Sequence, residues 1–170
     1  PLPGTLAEAQ TLAALWPGAK VWTAQAATER ALKGVQGPSV LHVATHGFFV
    51  ADRAESAASG TRSGRRGAEL LGDVPVATMP ALGKDDPLLR SGLALAGANR
   101  KAHGDDDGLL TALEVAGLDL HGTRLAVLSA CDTGVGDVRN GEGVFGLRRA
   151  LVLAGAETQV MSLWKVDDDA

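Results

Sequence analysis

Hydrophobic residues recur along the chain at two alternating spacings. Spacing typical of helices predicts helices over 6–15, 26–33 and 109–116 and in the segment after 143. Nearly continuous apolar runs predict strands over 39–45, 91–98, 124–130 and 159–164, with a shorter candidate at 20–23. Strands that alternate with helices favour an α/β fold, a sandwich whose mostly parallel central sheet is flanked by helices on both faces.

Local signals indicate where some of these helices begin and end. Thr5 followed by Glu8 has the spacing of a capping box, and Thr111 is placed to begin the helix over 109–116. Gly34 follows the second helix, where a C-cap favours a residue that can adopt positive φ. These signals support the predicted starts and ends of the helices.

The segment 51–86 is different in character, since it is rich in Ser, Gly, Arg and Asp with little periodicity. Such a composition predicts a long flexible loop. The 170 residues fit one domain. Because the chain starts at Pro1 and stops at Ala170 after an acidic turn, we expect a single domain over 1–170 that is a fragment truncated at its C-terminal end.

Charge and composition exclude several classes of function. The net charge is −4, without the basic excess that nucleic-acid binding requires. No run of 18 apolar residues and no signal-peptide pattern occurs in these residues, so we expect neither a membrane span nor secretion, and a cytoplasmic location.

Two strongly predicted strands each end close to a residue capable of catalysis. His46 follows the strand over 39–45, and Cys131 follows the strand over 124–130. In a parallel sheet both would lie at the same edge, where ligands of such folds bind. A histidine can activate a cysteine thiol and protonate a leaving amine, while the amides of Gly47 and Cys131 can bind an oxyanion. This pattern indicates acyl transfer at an amide; the alternative is a buried cysteine and a turn histidine, the more common state of either residue alone.

Five blocks of sequence carry a resemblance to a known family: LHVATHG at 41–47, DPLLRSGLALAGAN at 86–99, GLLTALEVAGLDLHGTRLAVLSACDTG at 108–134, GEGVFGLRRALVLAGAE at 141–157 and SLWKVDD at 162–168. Together they resemble the CHAT domain family, which is related to caspases, separases and gingipains and associated with tetratricopeptide repeats. The resemblance implies a caspase-like three-layer sandwich with His46 and Cys131 as a catalytic dyad. It implies no metal and no organic cofactor.

The chain departs from the family pattern in three places. Asp132 stands where the family more often has Gln, and His46 and Cys131 are 85 residues apart, against about 50 in caspases. The family's fold also continues past the last block with a helix and a strand, whereas this sequence stops at Ala170.

Other patterns have weaker functional interpretations. His42 and His46 have metal-ligand spacing only on a helix; on a strand they lie roughly 13 Å apart, so we expect His42 to be a core or supporting residue. Gly141, Gly143 and Gly146 match a dinucleotide fingerprint, but ten residues separate them from the preceding strand. The acidic run 105–107 is expected to be a solvated loop, and His103 and His121 are expected to be solvated turn residues.

Within the resemblance, Asp132, Trp164 and Asp167 fall near the dyad and are candidates for binding substrate. Carboxylates there would favour a basic residue before the scissile bond. The sequence therefore predicts a cysteine endopeptidase acting on protein or peptide substrates. The alternative is a catalytically silent peptide-binding or scaffold module. For either function, the resemblance implies helical repeats in the same parent chain, and the long loop over 51–86 is the basis for expecting an activating partner.

Overall fold

The computed structural model describes residues 3–49, 87–99, 106–129 and 142–161. Five helices are present in these ranges: α1 (Pro3–Leu15), α2 (Glu29–Lys33), α3 (Pro87–Arg90), α4 (Ala112–Ala116) and α5 (Glu142–Ala154). Six strands accompany them: β1 (Val40–Ala44), β2 (His46–Phe49), β3 (Ser91–Ala94), β4 (Leu109–Thr111), β5 (Leu125–Ser129) and β6 (Gln159–Met161). The protein is α/β, as the sequence predicted.

Three strands form a parallel sheet in the order β1-β5-β6. In the register, Leu41 pairs with Ala126 and Val43 with Leu128, so these four side chains share one face of the sheet. That face belongs to the main hydrophobic core, together with Leu147 and Leu151 of α5. The core therefore includes this face of the parallel sheet and α5, together with residues of β3, β4 and α4.

On the opposite face of the sheet, α1 lies against β1. His42 alternates with Leu41 and Val43 along β1 and so lies on the other face, where its Nε2 is 3.0 Å from Oε1 of Glu8. Helices thus flank the parallel sheet on both sides, which is the three-layer sandwich that the resemblance implied.

A second, antiparallel sheet has the order β2-β3-β4. β2 follows β1 after the single residue Thr45, so the chain passes from one sheet directly into the other. This sheet packs against α4 and α5 through β3. The sequence did not predict β2, β4 or α3, because these short elements are stabilised by pairing and packing with distant parts of the chain.

Several element boundaries differ from the predictions. The strand predicted at 20–23 does not form, and a 3-10 turn, Ala24–Ala26, follows instead. Val21 and Trp22 are exposed, so this segment lacks the burial that stabilises a strand. The capping-box prediction for Thr5 was also wrong, because α1 begins at Pro3, and Glu8 contacts His42.

The remaining corrections concern lengths and caps. α2 begins at Glu29 because the Thr28 hydroxyl accepts a hydrogen bond from the Ala31 amide, and it ends at the C-cap Gly34 with φ −85°, not the positive φ expected. Thr111 is the N-cap of α4, as predicted, with a complete capping box to Glu114. Leu109–Thr111 form β4, so the helix predicted over 109–116 is confirmed only from Ala112.

Among the residues described, no helix is both long enough and apolar enough to cross a membrane. The long loop predicted at 51–86 lies outside the described residues.

Candidate active site

The candidate site begins where two neighbouring parallel strands end together. Ala44, the last residue of β1, is the register partner of Ser129, the last residue of β5. One residue further on, the Thr45 amide donates a hydrogen bond to the Ser129 carbonyl, with an N···O distance of 3.2 Å. The two strands therefore end in register at the same edge of the parallel sheet.

His46 lies immediately beyond this edge, at the start of β2. Its partner across the antiparallel sheet is Ala94, the last residue of β3, and Gly47 pairs with Leu93. His46 is half-buried and Gly47 is buried. The antiparallel pairing gives the histidine backbone a fixed place beside the carboxyl end of β5.

Thr45 has a second hydrogen bond at this junction, since its hydroxyl donates to the Ala94 carbonyl. Thr45 thus contacts the last residue of β5 through its backbone and the last residue of β3 through its side chain. The sequence analysis did not select this residue. The signal available was its position, directly between the apolar strand and His46.

Close packing of Phe48 on Gly92 fixes the rest of β2. The two residues are cross-strand partners, and Phe48 is 5% exposed. A Cβ added at Gly92 would lie 2.6 Å from Phe48 Cζ and 2.3 Å from the Leu110 carbonyl oxygen. Only glycine leaves room for this arrangement of β2, β3 and β4.

Four of the predicted site residues, Cys131, Asp132, Trp164 and Asp167, lie outside the described residues. Their roles remain predictions from the sequence. Of the predicted site, the structure describes His46 and Gly47, which are adjacent in β2.

The other histidines have separate environments. His42 lies in β1 and His46 in β2, so the two belong to different sheets. His42 is partly buried and is paired with Glu8, in keeping with the supporting role expected for it. His121 is exposed in a turn, as predicted, whereas His103 lies outside the described residues. Within the described ranges, no group of three or more His, Cys, Asp or Glu side chains is placed to hold a metal ion.

Two further motifs have structural explanations. Gly143 and Gly146 lie inside α5, while Gly141 is outside the described residues.

In the acidic run over 105–107, Asp105 is outside the described residues. Asp106 contacts both the backbone N–H and the guanidinium of Arg30 at 3.4 Å, and Asp107 accepts a hydrogen bond from the Leu109 amide at 2.9 Å. Asp107 therefore orders the turn before β4, whereas Asp106 is exposed, as expected, and contacts α2 at the surface.

A charged cluster away from this edge was missed by the sequence analysis. Glu29 is 1% exposed and accepts hydrogen bonds from the Gly108 amide and from Lys33 Nζ, the latter at 2.8 Å. Lys33 Nζ also donates to Glu114 at 2.9 Å. No sequence signal distinguishes this buried glutamate from the exposed ones.

The pKa values of two members of this cluster are shifted. Burial alone would lower the pKa of Lys33, but its hydrogen bonds to Glu29 and Glu114 and their charges outweigh that effect and raise it. Burial alone would raise the pKa of Glu114, but the hydrogen bonds from Lys33 and Thr111 outweigh it and lower the pKa. Both shifts favour the charged forms, so the cluster acts as a stabilising ion network.

The fold and this edge define a class of α/β protein in which a histidine follows one parallel strand and, in the sequence, a cysteine follows the neighbouring strand. The family model for the CHAT domain matches residues 1–170, the whole chain. The chain belongs to the CHAT domain family, a caspase-like, peptidase-related family. Neither the curated proteins nor the solved structures contain a significant match.

Proposed function

We propose that this domain is a caspase-type cysteine endopeptidase in which His46 and Cys131 form the catalytic dyad. The observation that supports this most is the in-register ending of β1 and β5 at Ala44 and Ser129. His46 and Cys131 each follow these paired residues by two positions. Two residues of chain span at most about 7 Å, and adjacent strands are about 4.8 Å apart. These short spans support a placement of both residues near one edge of the sheet.

The proposed reaction uses groups that follow this edge. The Cys131 thiolate attacks the scissile carbonyl carbon, and the carbonyl oxygen becomes an oxyanion held by the Gly47 and Cys131 amides. His46 then donates a proton to the leaving amine, giving an acyl-enzyme. Water, deprotonated by His46, attacks the thioester and releases the carboxylic acid and the free thiol. No metal or organic cofactor takes part in this proposal.

For substrate binding, we propose Asp132, Trp164 and Asp167. Asp132 and Asp167 follow strands predicted to end at this edge, and Trp164 is the last residue of one of those strands. Two of the three residues are carboxylates. A carboxylate that faces the residue before the scissile bond favours Arg or Lys there through charge-assisted hydrogen bonds.

We also propose a cytoplasmic setting and an arrangement with helical repeats in the same parent chain or with an activating partner. A single cysteine cannot form an internal disulfide, and a reducing compartment keeps its thiol available. Family membership supports the association with repeats.

The experiment that tests the proposed function is digestion of a diverse peptide library, read by mass spectrometry, with the wild type, Cys131→Ala and His46→Ala. His42→Gln is the matched control. His42 is also a histidine of this region, but it is paired with Glu8 of α1, on the face of β1 opposite the hydrophobic core. We expect cleavage by the wild type and the control, and none by the two dyad variants. Cleavage that survives Cys131→Ala would contradict the proposal; absence of cleavage in all samples would favour the silent binding module.

A further inference from the structure

The junction at Thr45 connects three strand ends through two hydrogen bonds. Its amide donates to Ser129, the last residue of β5, at 3.2 Å, and its hydroxyl donates to the carbonyl of Ala94, the last residue of β3. Thr45 is itself the only residue between β1 and β2. The parallel and antiparallel sheets are therefore joined at this one residue next to His46.

The two acceptors lie beside the proposed reactive groups. Ala94 is the cross-strand partner of His46, and Ser129 precedes Cys131 by two residues. A backbone bond alone can be made by any residue except proline, whereas the bond to Ala94 requires a hydroxyl donor on a short side chain. Thr45 is partly buried, so water replaces this bond poorly.

We infer that Thr45 is a positioning residue, whose hydroxyl sets the placement of His46 relative to the carboxyl end of β5. This inference rests on the proposed function, since the placement matters for catalysis only if His46 and Cys131 act together. Thr45 acts through the strand ends and takes no part in proton transfer. A displacement of about 1 Å between reacting groups can reduce a rate by about 100-fold.

The test compares Thr45→Val, which keeps the shape and removes the donor, with Thr45→Ser, which keeps the donor. Two quantities are measured: the alkylation rate of Cys131 by iodoacetamide as a function of pH, and kcat and KM for a peptide from the library. For Thr45→Val we expect slower alkylation at neutral pH, a pH midpoint moved upward and kcat reduced about 10- to 100-fold with KM little changed. Thr45→Ser should restore both quantities to within about twofold.

Thr11→Val is the matched control, because the Thr11 hydroxyl makes the same kind of bond, to the Ala7 carbonyl at 2.8 Å, in α1. It should alter neither quantity. If Thr45→Val does not fold, Thr45→Ala removes the same donor with less crowding and is measured instead.

Two outcomes would overturn the inference: wild-type alkylation and kcat in Thr45→Val, or a Thr45→Ser variant as impaired as Thr45→Val. Failure of the proposed function gives a different result from failure of this inference. If His46 and Cys131 do not act together, His46→Gln leaves the rate of Cys131 alkylation unchanged in the otherwise wild-type protein. If His46→Gln slows alkylation and Thr45→Val does not, only the positioning role of Thr45 is wrong.

Discussion

At the scale of single residues, glycine at position 92 allows β2 to lie where His46 is placed. The Phe48 ring occupies the space that a side chain at position 92 would need, and the Leu110 carbonyl closes it from the other side. Phe48 is two residues beyond His46 in the same four-residue strand. Displacement of this ring would therefore shift the strand that carries the histidine.

We predict that Gly92→Ala lowers the free energy of unfolding by about 2 kcal/mol, because the added methyl group forces Phe48 and the β4 backbone apart. Urea denaturation measures this change. Gly117→Ala is the control, since a Cβ there lies 3.4 Å from the Glu114 carbonyl, in ordinary contact. Equal stability of the two variants would mean that the packing of Phe48 on Gly92 is not close.

At the scale of elements, Lys33 joins α2 to α4. It neutralises the buried Glu29 on its own helix and reaches Glu114, which also caps α4 through Thr111. The turn before β4 is joined to the same cluster, because the Gly108 amide donates a hydrogen bond to the Glu29 carboxylate. Three short elements that would be marginal alone thus share one charged network.

We predict that Lys33→Met destabilises the protein by about 2 kcal/mol, because it leaves Glu29 buried without its cation. The estimate is below that for a fully buried pair, since the Lys33 side chain is 31% exposed. Arg30→Met on the same helix is the control: its side chain is 85% exposed, and we expect a loss of less than about 0.5 kcal/mol. A smaller loss for Lys33→Met than for Arg30→Met would contradict the network.

At the scale of the whole molecule, the charged network of Glu29, Lys33 and Glu114 makes the stability of the fold depend on pH. The lowered pKa of Glu114 makes its contribution complete above its unfolded pKa of about 4.3, and the contribution is lost as pH falls through the folded value. The raised pKa of Lys33 has the opposite sense, so its contribution is complete below about pH 10.4 and is lost as pH rises through the folded value.

We predict that the loss of stability caused by Glu114→Gln is greatest near neutral pH and shrinks as the solution is acidified. Urea denaturation of the wild type and the variant between about pH 3 and 7 measures this difference. Glu157→Gln removes the same charge from an exposed position and is the control. A penalty for Glu114→Gln that stays constant down to the acid limit would show that its carboxylate gains nothing from the network.

The sequence was most informative where long apolar runs lie in the core. β1 and β5 were predicted within one residue at each end, and the edge that they form followed from their parallel arrangement. Thr111 was recognised because its cap is local. β2 was missed because its four residues, one of them glycine, gain their stability from Phe48 on Gly92 and from the Ala94 pairing, which are contacts with distant parts of the chain. Glu29, Lys33 and Thr45 were missed for the same reason.

The measurement that tests the central claim most directly is the rate of Cys131 alkylation at neutral pH in the wild type, His46→Gln and His42→Gln. Because an adjacent histidine stabilises the thiolate, we predict that His46→Gln slows alkylation at least about tenfold, while His42→Gln matches the wild type. Equal rates in all three proteins would contradict the pairing of His46 with Cys131 at the common end of β1 and β5.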